Sequence, residues 1–233
     1  MAHWKKISGG LSGISVGSRS NVWGINPDGA IYRFTNDDAT PWHNVPGGLT
    51  DISAAADGTV WGVNANHEIF RYVGDQDSTG HWKKIPGGLS GISAGSRSNV
   101  WGINPDGAIY RFTNDDATPW HNVPGGLTDI SAAADGTVWG VNANHEIFRY
   151  VGDQDSTGHW KKIPGGLSGI SAGSRSNVWG INPDGAIYRF TNDDATPWHN
   201  VPGGLTDISA AADGTVWGVN ANHEIFRYIG DQP

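Results

Sequence analysis

The sequence predicts an all-β protein, a six-bladed β-propeller whose blades are four-stranded antiparallel sheets. Two observations predict this fold: a repeat that fills the whole chain, and four short strand patterns within each repeat unit. A unit too short to bury its own apolar residues must stack on its neighbours, and a closed ring of stacked sheets leaves no long open edge. We therefore interpret residues 1–233 as a single propeller domain.

The longer of two nested repeats gives the chain a threefold symmetry. Its first copy, residues 3–80, differs from the second copy, residues 81–158, at two positions only. The third copy, residues 159–233, departs from the second at one position over residues 159–229. Copies this alike indicate design, deliberate symmetrisation or very recent gene amplification. Each copy is predicted to supply one pair of blades.

The shorter repeat has a unit of about 39 residues, so that the chain holds six units of two alternating types, odd and even. The motif W-K-K-I-S-G-G-L-S-G-I-S at Trp4 returns as W-H-N-V-P-G-G-L-T-D-I-S at Trp42. Likewise N-V-W-G-I-N at Asn21 returns as T-V-W-G-V-N at Thr59.

Four strand patterns follow one another in the first unit. The first is small and glycine-rich, which suits a strand crowded at a central axis. The fourth is flanked by prolines, which suit an outer edge because a missing N–H costs nothing there. The predicted strands are Leu11–Gly17, Asn21–Asn26, Ala30–Thr35 and Pro41–Pro46.

The N-P-D-G segment that ends at Gly29 predicts a tight hairpin turn, because Pro presets φ and Gly accepts φ > 0. Folding the hairpin there places Trp23 opposite Arg33. Both faces of the hairpin are then largely apolar, so that each sheet must be covered on both sides, as in a propeller.

The two ends of the chain predict how the ring closes. The sequence begins at H-W-K-K-I, an outer-strand pattern with no inner strands before it. It ends on a third-strand pattern with no outer strand after it. We expect the N-terminal strand to complete the last blade of a monomeric ring.

Composition and motifs exclude several functions. The net charge of −8 argues against nucleic acid as a partner, and the chain has no cysteine and no apolar run long enough for membrane insertion. The loop at 74–80 begins like a calcium loop, but Pro86 stands where a bidentate Glu is needed, so no metal site is predicted. No catalytic constellation and no cofactor motif is present. The N-terminal residues do not have the pattern of a signal peptide. The localisation is therefore undetermined, and a cytoplasmic protein and a recombinant form are the two interpretations.

The signature W-x-x-[IV]-[PS]-G-G-L-x-x-I-S, followed by V-W-G-[IV]-N and I-[YF]-R, resembles the tectonin repeat and covers essentially the whole chain. This family includes fish-egg lectins and fungal and slime-mould relatives. The resemblance implies a six-bladed propeller without enzymatic activity. It also implies glycans as partners, with ligands such as N-acetylglucosamine, lipopolysaccharide sugars or O-methylated glycans. The alternative is a symmetric scaffold that has kept no ligand.

The even units differ from the odd units at the central turn, which makes that turn the candidate carbohydrate site. Asn26-Pro27-Asp28-Gly29-Ala30 becomes Asn64-Ala65-Asn66-His67-Glu68, so that His occupies a position that needs φ > 0. Strain of this kind can mark function, although a solvated turn is the alternative. The predicted carbohydrate-binding residues are Trp61, Asn64, Asn66, His67, Glu68 and Arg71, with their copies Trp139, Asn142, Asn144, His145, Glu146 and Arg149, and Trp217, Asn220, Asn222, His223, Glu224 and Arg227.

The inner tryptophans allow two interpretations. Each lies opposite an arginine in its hairpin, which favours a packing residue between blades with a cation–π partner. The second interpretation is a platform for a sugar ring, since an indole face complements the C–H face of a pyranose. The outer tryptophans at Trp4 and Trp42 are predicted to anchor the outer strand of a blade.

Overall fold

Six four-stranded antiparallel sheets make up the described part of the chain, residues 3–74, 81–152 and 159–230, in a computed structural model. The predicted all-β, six-bladed propeller is confirmed. Each 78-residue copy supplies eight strands, four from its odd unit and four from its even unit. Odd and even blades therefore alternate around the ring.

The strands are numbered in chain order and grouped by blade. Blade 1 contains β2 (Gly13–Ser18), β3 (Asn21–Ile25), β4 (Ile31–Phe34) and β5 (Trp42–Val45). Blade 2 contains β6 (Asp51–Ala54), β7 (Val60–Val63), β8 (Ile69–Tyr72) and β9 (Trp82–Ile85). Blade 3 contains β10 (Gly91–Ser96), β11 (Asn99–Ile103), β12 (Ile109–Phe112) and β13 (Trp120–Val123). Blade 4 contains β14 (Asp129–Ala132), β15 (Val138–Val141), β16 (Ile147–Tyr150) and β17 (Trp160–Ile163). Blade 5 contains β18 (Gly169–Ser174), β19 (Asn177–Ile181), β20 (Ile187–Phe190) and β21 (Trp198–Val201). Blade 6 contains β22 (Asp207–Ala210), β23 (Val216–Val219), β24 (Ile225–Tyr228) and β1 (Trp4–Ile7).

Turn chemistry sets the register of each hairpin. Gly29 has φ of 81°, and its N–H donates to the Asn26 carbonyl oxygen at 2.9 Å, which closes the turn between β3 and β4. Trp23 then pairs with Arg33, as the sequence predicts. Glycine favours this turn because L-residues adopt this backbone conformation only at a cost.

The hydrophobic core lies between blades rather than inside them. Trp23 and Ile31 of blade 1 pack in one cluster with Ile52 and Val60 of blade 2, and all four side chains are buried. The Trp23 side chain is 1% exposed. Each sheet buries its two faces against two neighbouring blades, so a single blade could not exclude water from this core.

The innermost strands approach one another closely around the axis. A Cβ atom on Gly17 would lie 2.1 Å from the carbonyl oxygen of Ala55 in the next blade. Nearby, the buried Ser15 hydroxyl oxygen accepts the Ala54 N–H at 2.8 Å. The small residues of the first strand pattern therefore allow backbone-to-backbone contact between blades.

A carboxylate joins the even blade to the odd blade beside these strands. Asp51 accepts the Ile52 N–H at 2.9 Å with one oxygen and the Ile92 N–H of blade 3 at 2.8 Å with the other. Burial raises the pKa of Asp51 to about 7, because the charged form loses its hydration. Asp129 and Asp207 occupy the equivalent positions.

The N-terminal strand closes the ring, as predicted. β1 pairs antiparallel with β24, with Trp4 opposite Tyr228. Lys5 forms an ion pair with Asp38 of blade 1 at 2.6 Å, and Lys6 forms one with Glu224. These contacts tie the two chain ends to each other and to the first blade.

The ring has two faces. We call the face that carries the loops at 35–41 and the turns at 55–59, with their copies, the Asp38 face. The opposite face, which carries the turns at 26–30 and 64–68 with their copies, is the His67 face. Among the described residues, no helix is long and apolar enough to cross a membrane.

Candidate functional site

The residues predicted to bind carbohydrate are divided between the two faces of the ring. Asn64, Asn66, His67 and Glu68 lie in the turn between β7 and β8, on the His67 face. Arg71 lies three residues further along β8, about 10 Å away, at 3.3 Å per strand residue. Its partner across the hairpin is Trp61. Trp61 and Arg71 therefore lie apart from the four predicted residues of the turn.

The even turn is held by its own hydrogen bonds. The Asn64 side-chain oxygen accepts the N–H groups of Asn66 and Glu68, both at 3.0 Å, and its amide donates to the Glu68 carboxylate at 2.8 Å. Lys84 donates to the other carboxylate oxygen at 2.5 Å. Lys84 and Asn64 lower the pKa of Glu68. Most of the polar groups in this turn therefore already have partners within the protein.

The left-handed conformation predicted for His67 is present, with φ of 63°. Its carbonyl oxygen accepts the N–H of Leu89, in the next blade, at 3.0 Å. Gly29 in the odd turn makes the same contact with Leu49, also at 3.0 Å. The turn conformation thus serves the docking of consecutive blades in both repeat types.

The inner tryptophans of the even blades are packing residues. Trp61 is 0% exposed, and the Arg71 guanidinium lies 5.3 Å from its ring centroid. Trp139 and Trp217 are equally buried, with Arg149 and Arg227 at 5.3 and 5.4 Å. None of the three presents a ring face on which a sugar could stack, which corrects the platform interpretation.

An ion-pair cluster on the Asp38 face links each even blade to the next odd blade. Arg71 donates to both oxygens of Asp116 at 2.9 and 2.8 Å, and Lys83 donates to the same carboxylate at 2.6 Å. Hydrogen bonds from Arg71 and Lys83 lower the pKa of Asp116 to about 2. The equivalent clusters are Arg149–Asp194–Lys161 and Arg227–Asp38–Lys5.

Open clefts lie beside these clusters, between an even blade and the odd blade that follows it. We call them the Asp38-face clefts. The cleft between blades 2 and 3 has a volume of about 900 Å³, and the cleft between blades 6 and 1 about 700 Å³. Lining residues of the first are Thr59, Arg71, Tyr72, Arg97, Phe112 and Asn114. Lining residues of the second are Arg19, Phe34, Asn36, Thr215, Trp217 and Arg227.

The Asp38-face clefts combine aromatic walls with polar groups at the rim. Asp57 accepts the backbone N–H of Arg97 at 2.7 Å across the blade boundary, which fixes the two rims relative to each other. The Arg97 side chain is exposed and makes no ion pair within the described residues. Asn114 has φ of 68°, a left-handed conformation that is uncommon outside glycine.

Smaller clefts lie on the His67 face, between an odd blade and the next even blade. Two of them have volumes of about 430 and 450 Å³. The first is lined by the odd turn at 182–185, the even-turn residues Asn220 and Asn222, and Leu205. Neither of these two clefts has an aromatic side chain in its wall. These two clefts include the two predicted asparagines of an even turn but neither the predicted His nor the predicted Glu.

Sequence reasoning missed the residues that cross blade boundaries. Lys83 and Asp116 are separated by 33 positions, and no local pattern connects them. Arg97 stands in an ordinary turn sequence. The sequence contains one sign that the two kinds of blade boundary differ. Thr59 aligns with Asn21, beside a Val-Trp pair that both repeat types share.

Metal binding finds no support in the described ranges, where no three His, Asp or Glu side chains are grouped so that they could hold an ion. The calcium-like loop of the sequence falls almost entirely on residues 75–80, which lie outside the described residues.

Solved structures share the fold with this chain at low sequence identity. YCF48 bound to D1 peptide matches with a TM-score of 0.61 and 15% identity, over 98% of this chain and 97% of that one. YCF48 from Cyanidioschyzon merolae matches with a TM-score of 0.62 and 13% identity, over 97% and 98%. A streptogramin B lyase matches with a TM-score of 0.62 and 18% identity, over 97% of each chain. At these identities the likeness shows the fold alone.

Sequence comparison identifies the family. No protein with a curated description matches the chain. The sequence model of the Tectonin domain matches residues 1–119 and again residues 115–233, which together span the whole chain. The repeated signature, the six blades and this double match lead to one conclusion: the chain belongs to the tectonin domain family.

Proposed function

We propose that this protein is a multivalent lectin that binds terminal sugars of cell-surface glycans through its Asp38-face clefts, the two described above and a third that the threefold repeat predicts between blades 4 and 5. N-acetylglucosamine, lipopolysaccharide sugars and O-methylated glycans are the candidate ligands. The observation that carries the proposal is the Asp38-face cleft, in which aromatic walls and unused polar groups occur together on one face of a tectonin-family ring.

The composition of the cleft wall suits a sugar. The half-buried Tyr72 offers apolar surface to the C–H groups of a pyranose, and the largely buried Phe112 completes the wall, while Arg97 and Asn114 offer donors to the hydroxyl oxygens of the sugar. The Arg71–Asp116–Lys83 cluster, two cations that share one carboxylate, holds the rim in place beside the cleft. The even turns on the His67 face are the second candidate location, since Asn64 and Asn66 remain at a solvent-facing turn.

Threefold symmetry would turn weak single sites into useful avidity. A shallow sugar site commonly binds in the millimolar range, about −4 kcal/mol. Three equivalent clefts on one face of the ring can engage a dense glycan surface together, and linked binding of this kind can gain a factor of about 10²–10⁴. We therefore expect capture to depend strongly on the density of the displayed sugar.

A glycan array at low and high sugar density tests the proposal. The triple variant of Arg97, Arg19 and Arg175 to Gln removes an exposed side chain from each cleft and leaves the interblade backbone hydrogen bonds intact. We expect its capture to fall at least tenfold while its melting temperature stays unchanged. The matched control is the triple variant of Asn66, Asn144 and Asn222 to Ala on the His67 face, which should bind as the wild type does. The opposite pattern would move the sites to the His67 face.

The alternative proposal is a symmetric scaffold without a retained ligand. The near-identity of the three 78-residue copies favours it, because drifting natural repeats do not stay so alike. Absence of capture for the wild type at every sugar and density would support this alternative. We propose no enzymatic activity for the chain, since neither its sequence nor its clefts contain a recognisable catalytic constellation among the described residues.

A further inference from the structure

The six inner tryptophans differ in what their indole N–H groups contact. In the odd blades the Nε1–H of Trp23 donates to the Asn21 side-chain oxygen at 2.8 Å, and Trp101 and Trp179 make the same bond with Asn99 and Asn177. In the even blades the Nε1–H groups of Trp61, Trp139 and Trp217 are buried and have no acceptor among the described residues. A buried donor without an acceptor costs free energy, so it marks a place where a partner is expected.

A single sequence difference accounts for this contrast. Thr59 occupies the position of Asn21, two residues before the tryptophan, and its shorter side chain carries no amide. In blade 1, the Asn21 amide also donates to the Ala55 carbonyl oxygen of blade 2 at 2.9 Å. Asn21 therefore fills the space between two blades on the Asp38 face, and it satisfies the indole at the same time.

The threonine that replaces this asparagine in the even blades lies at the Asp38-face cleft. Thr59 lines the cleft between blades 2 and 3, and Thr215 and Trp217 both line the cleft between blades 6 and 1. The acceptor that the odd blades build into the protein is therefore missing beside these clefts. A buried, fixed N–H donor lies there instead, on the tryptophan two residues after the lining threonine, and the cleft wall also carries Arg97 or its copy.

We infer that Thr59, Thr137 and Thr215 are the specificity-determining residues of three ligand sites, in which the buried indole N–H donates to an oxygen of the bound sugar. This inference rests on the proposed function and assigns its sites to the interfaces from each even blade to the next odd blade. The ligand group that meets this N–H is an acceptor: a hydroxyl, ether or carbonyl oxygen. An ammonium or other group that offers only donors would leave the indole N–H unsatisfied.

The matched test exchanges the two residue types between blades. The triple variant Thr59→Asn, Thr137→Asn, Thr215→Asn should rebuild the odd-blade bridge, raise the melting temperature and weaken sugar capture about tenfold or more, since it supplies the acceptor internally. The reciprocal variant Asn21→Thr, Asn99→Thr, Asn177→Thr should open equivalent clefts at the other three interfaces. We expect it to bind up to six sugars per ring, with a lower melting temperature.

Nitrogen-15 spectra of the indole groups provide a readout that does not depend on array capture. Threefold symmetry sorts the twelve tryptophans into four classes, and the Thr→Asn triple variant identifies the class of Trp61, because its signal must move. Titration of the wild type with N-acetylglucosamine and with an O-methylated monosaccharide should shift this class most for the sugar that the array selects.

The outcomes separate the inference from the proposed function. A wild type that captures sugar, together with a Thr→Asn variant of undiminished affinity and a Trp61-class signal that does not move on titration, overturns the inference but leaves the lectin function standing. A wild type that captures no sugar overturns both. Loss of capture in the Thr→Asn variant, with a ligand-induced shift of the Trp61-class signal in the wild type, supports both.

Discussion

Removal of residues 1–8 takes away β1, the outer strand of blade 6, and tests how the ring closes. β1 contributes two core side chains, Trp4 and Ile7, which are 5% and 2% exposed. Trp4 packs between blades 5 and 6 with Trp179 in its cluster, whereas Ile7 packs in the cluster between blades 6 and 1. The strand therefore supports two interblade cores at once.

The cost of losing β1 follows from these two side chains. Truncation of a buried tryptophan to alanine costs about 3–5 kcal/mol, and truncation of a buried isoleucine about 2–5 kcal/mol. Because Trp4 and Ile7 lie in separate clusters, the two costs should add, to about 5–10 kcal/mol. Domains are commonly stable by only about 5–15 kcal/mol. The truncated chain should therefore be largely or completely destabilised.

Urea denaturation followed by tryptophan fluorescence measures this cost. The double variant Trp4→Ala, Ile7→Ala keeps the backbone of β1 and gives the side-chain part alone. Its matched control is Trp82→Ala, Ile85→Ala in β9, which occupies the same position in blade 2. The two double variants should lose similar free energies of unfolding. A truncated chain that unfolds at the wild-type urea concentration, or a Trp4 variant that costs far less than its control, would refute the closure described here.

Four further predictions concern the axis, the turns and the repeat. Burial raises the pKa of Asp51 to about 7, so that the folded state binds more protons than the unfolded state between about pH 4 and 7. The free energy of unfolding should therefore fall as the pH rises through this range, and substitution of Asp51 and its two copies by Asn should flatten that fall in urea titrations. Gly17→Ala should prevent folding at the axis, because its Cβ would meet a carbonyl oxygen at 2.1 Å, whereas Gly204→Ala, with no atom within 4 Å, should melt like the wild type. Substitution of His67 and its copies by Gly should leave the melting temperature unchanged or raise it by relieving the left-handed turn, and sugar capture should persist; a loss of capture would place the sites on the His67 face. A fragment of residues 81–158 should sediment as a trimer, because heterologous interfaces related by 120° close into a ring, and a stable monomer of this fragment would contradict that expectation.

Much of the architecture could be predicted from the sequence, because local signals repeat six times. The N-P-D-G turn sets the β3–β4 register, so that Trp23 lies opposite Arg33, and the displaced outer-strand pattern at Trp4 indicates how the ring closes. The left-handed conformation of His67 follows from its alignment with Gly29. These features depend on residues that are close in sequence or on copies of one another.

The candidate site, in contrast, was decided by the tertiary structure. Its contacts join residues far apart in the chain: Arg71 and Asp116 are separated by 45 positions, and they meet only because consecutive blades stack around an axis. Stacking also separates what is adjacent in sequence, since strand direction sends Arg71 to one face and His67 to the other. The difference between Asn21 and Thr59 is visible in the sequence alone. Its consequence, a bridged interface in one case and an open cleft beside an unpaired indole N–H in the other, depends on the neighbouring blade that only the folded ring supplies.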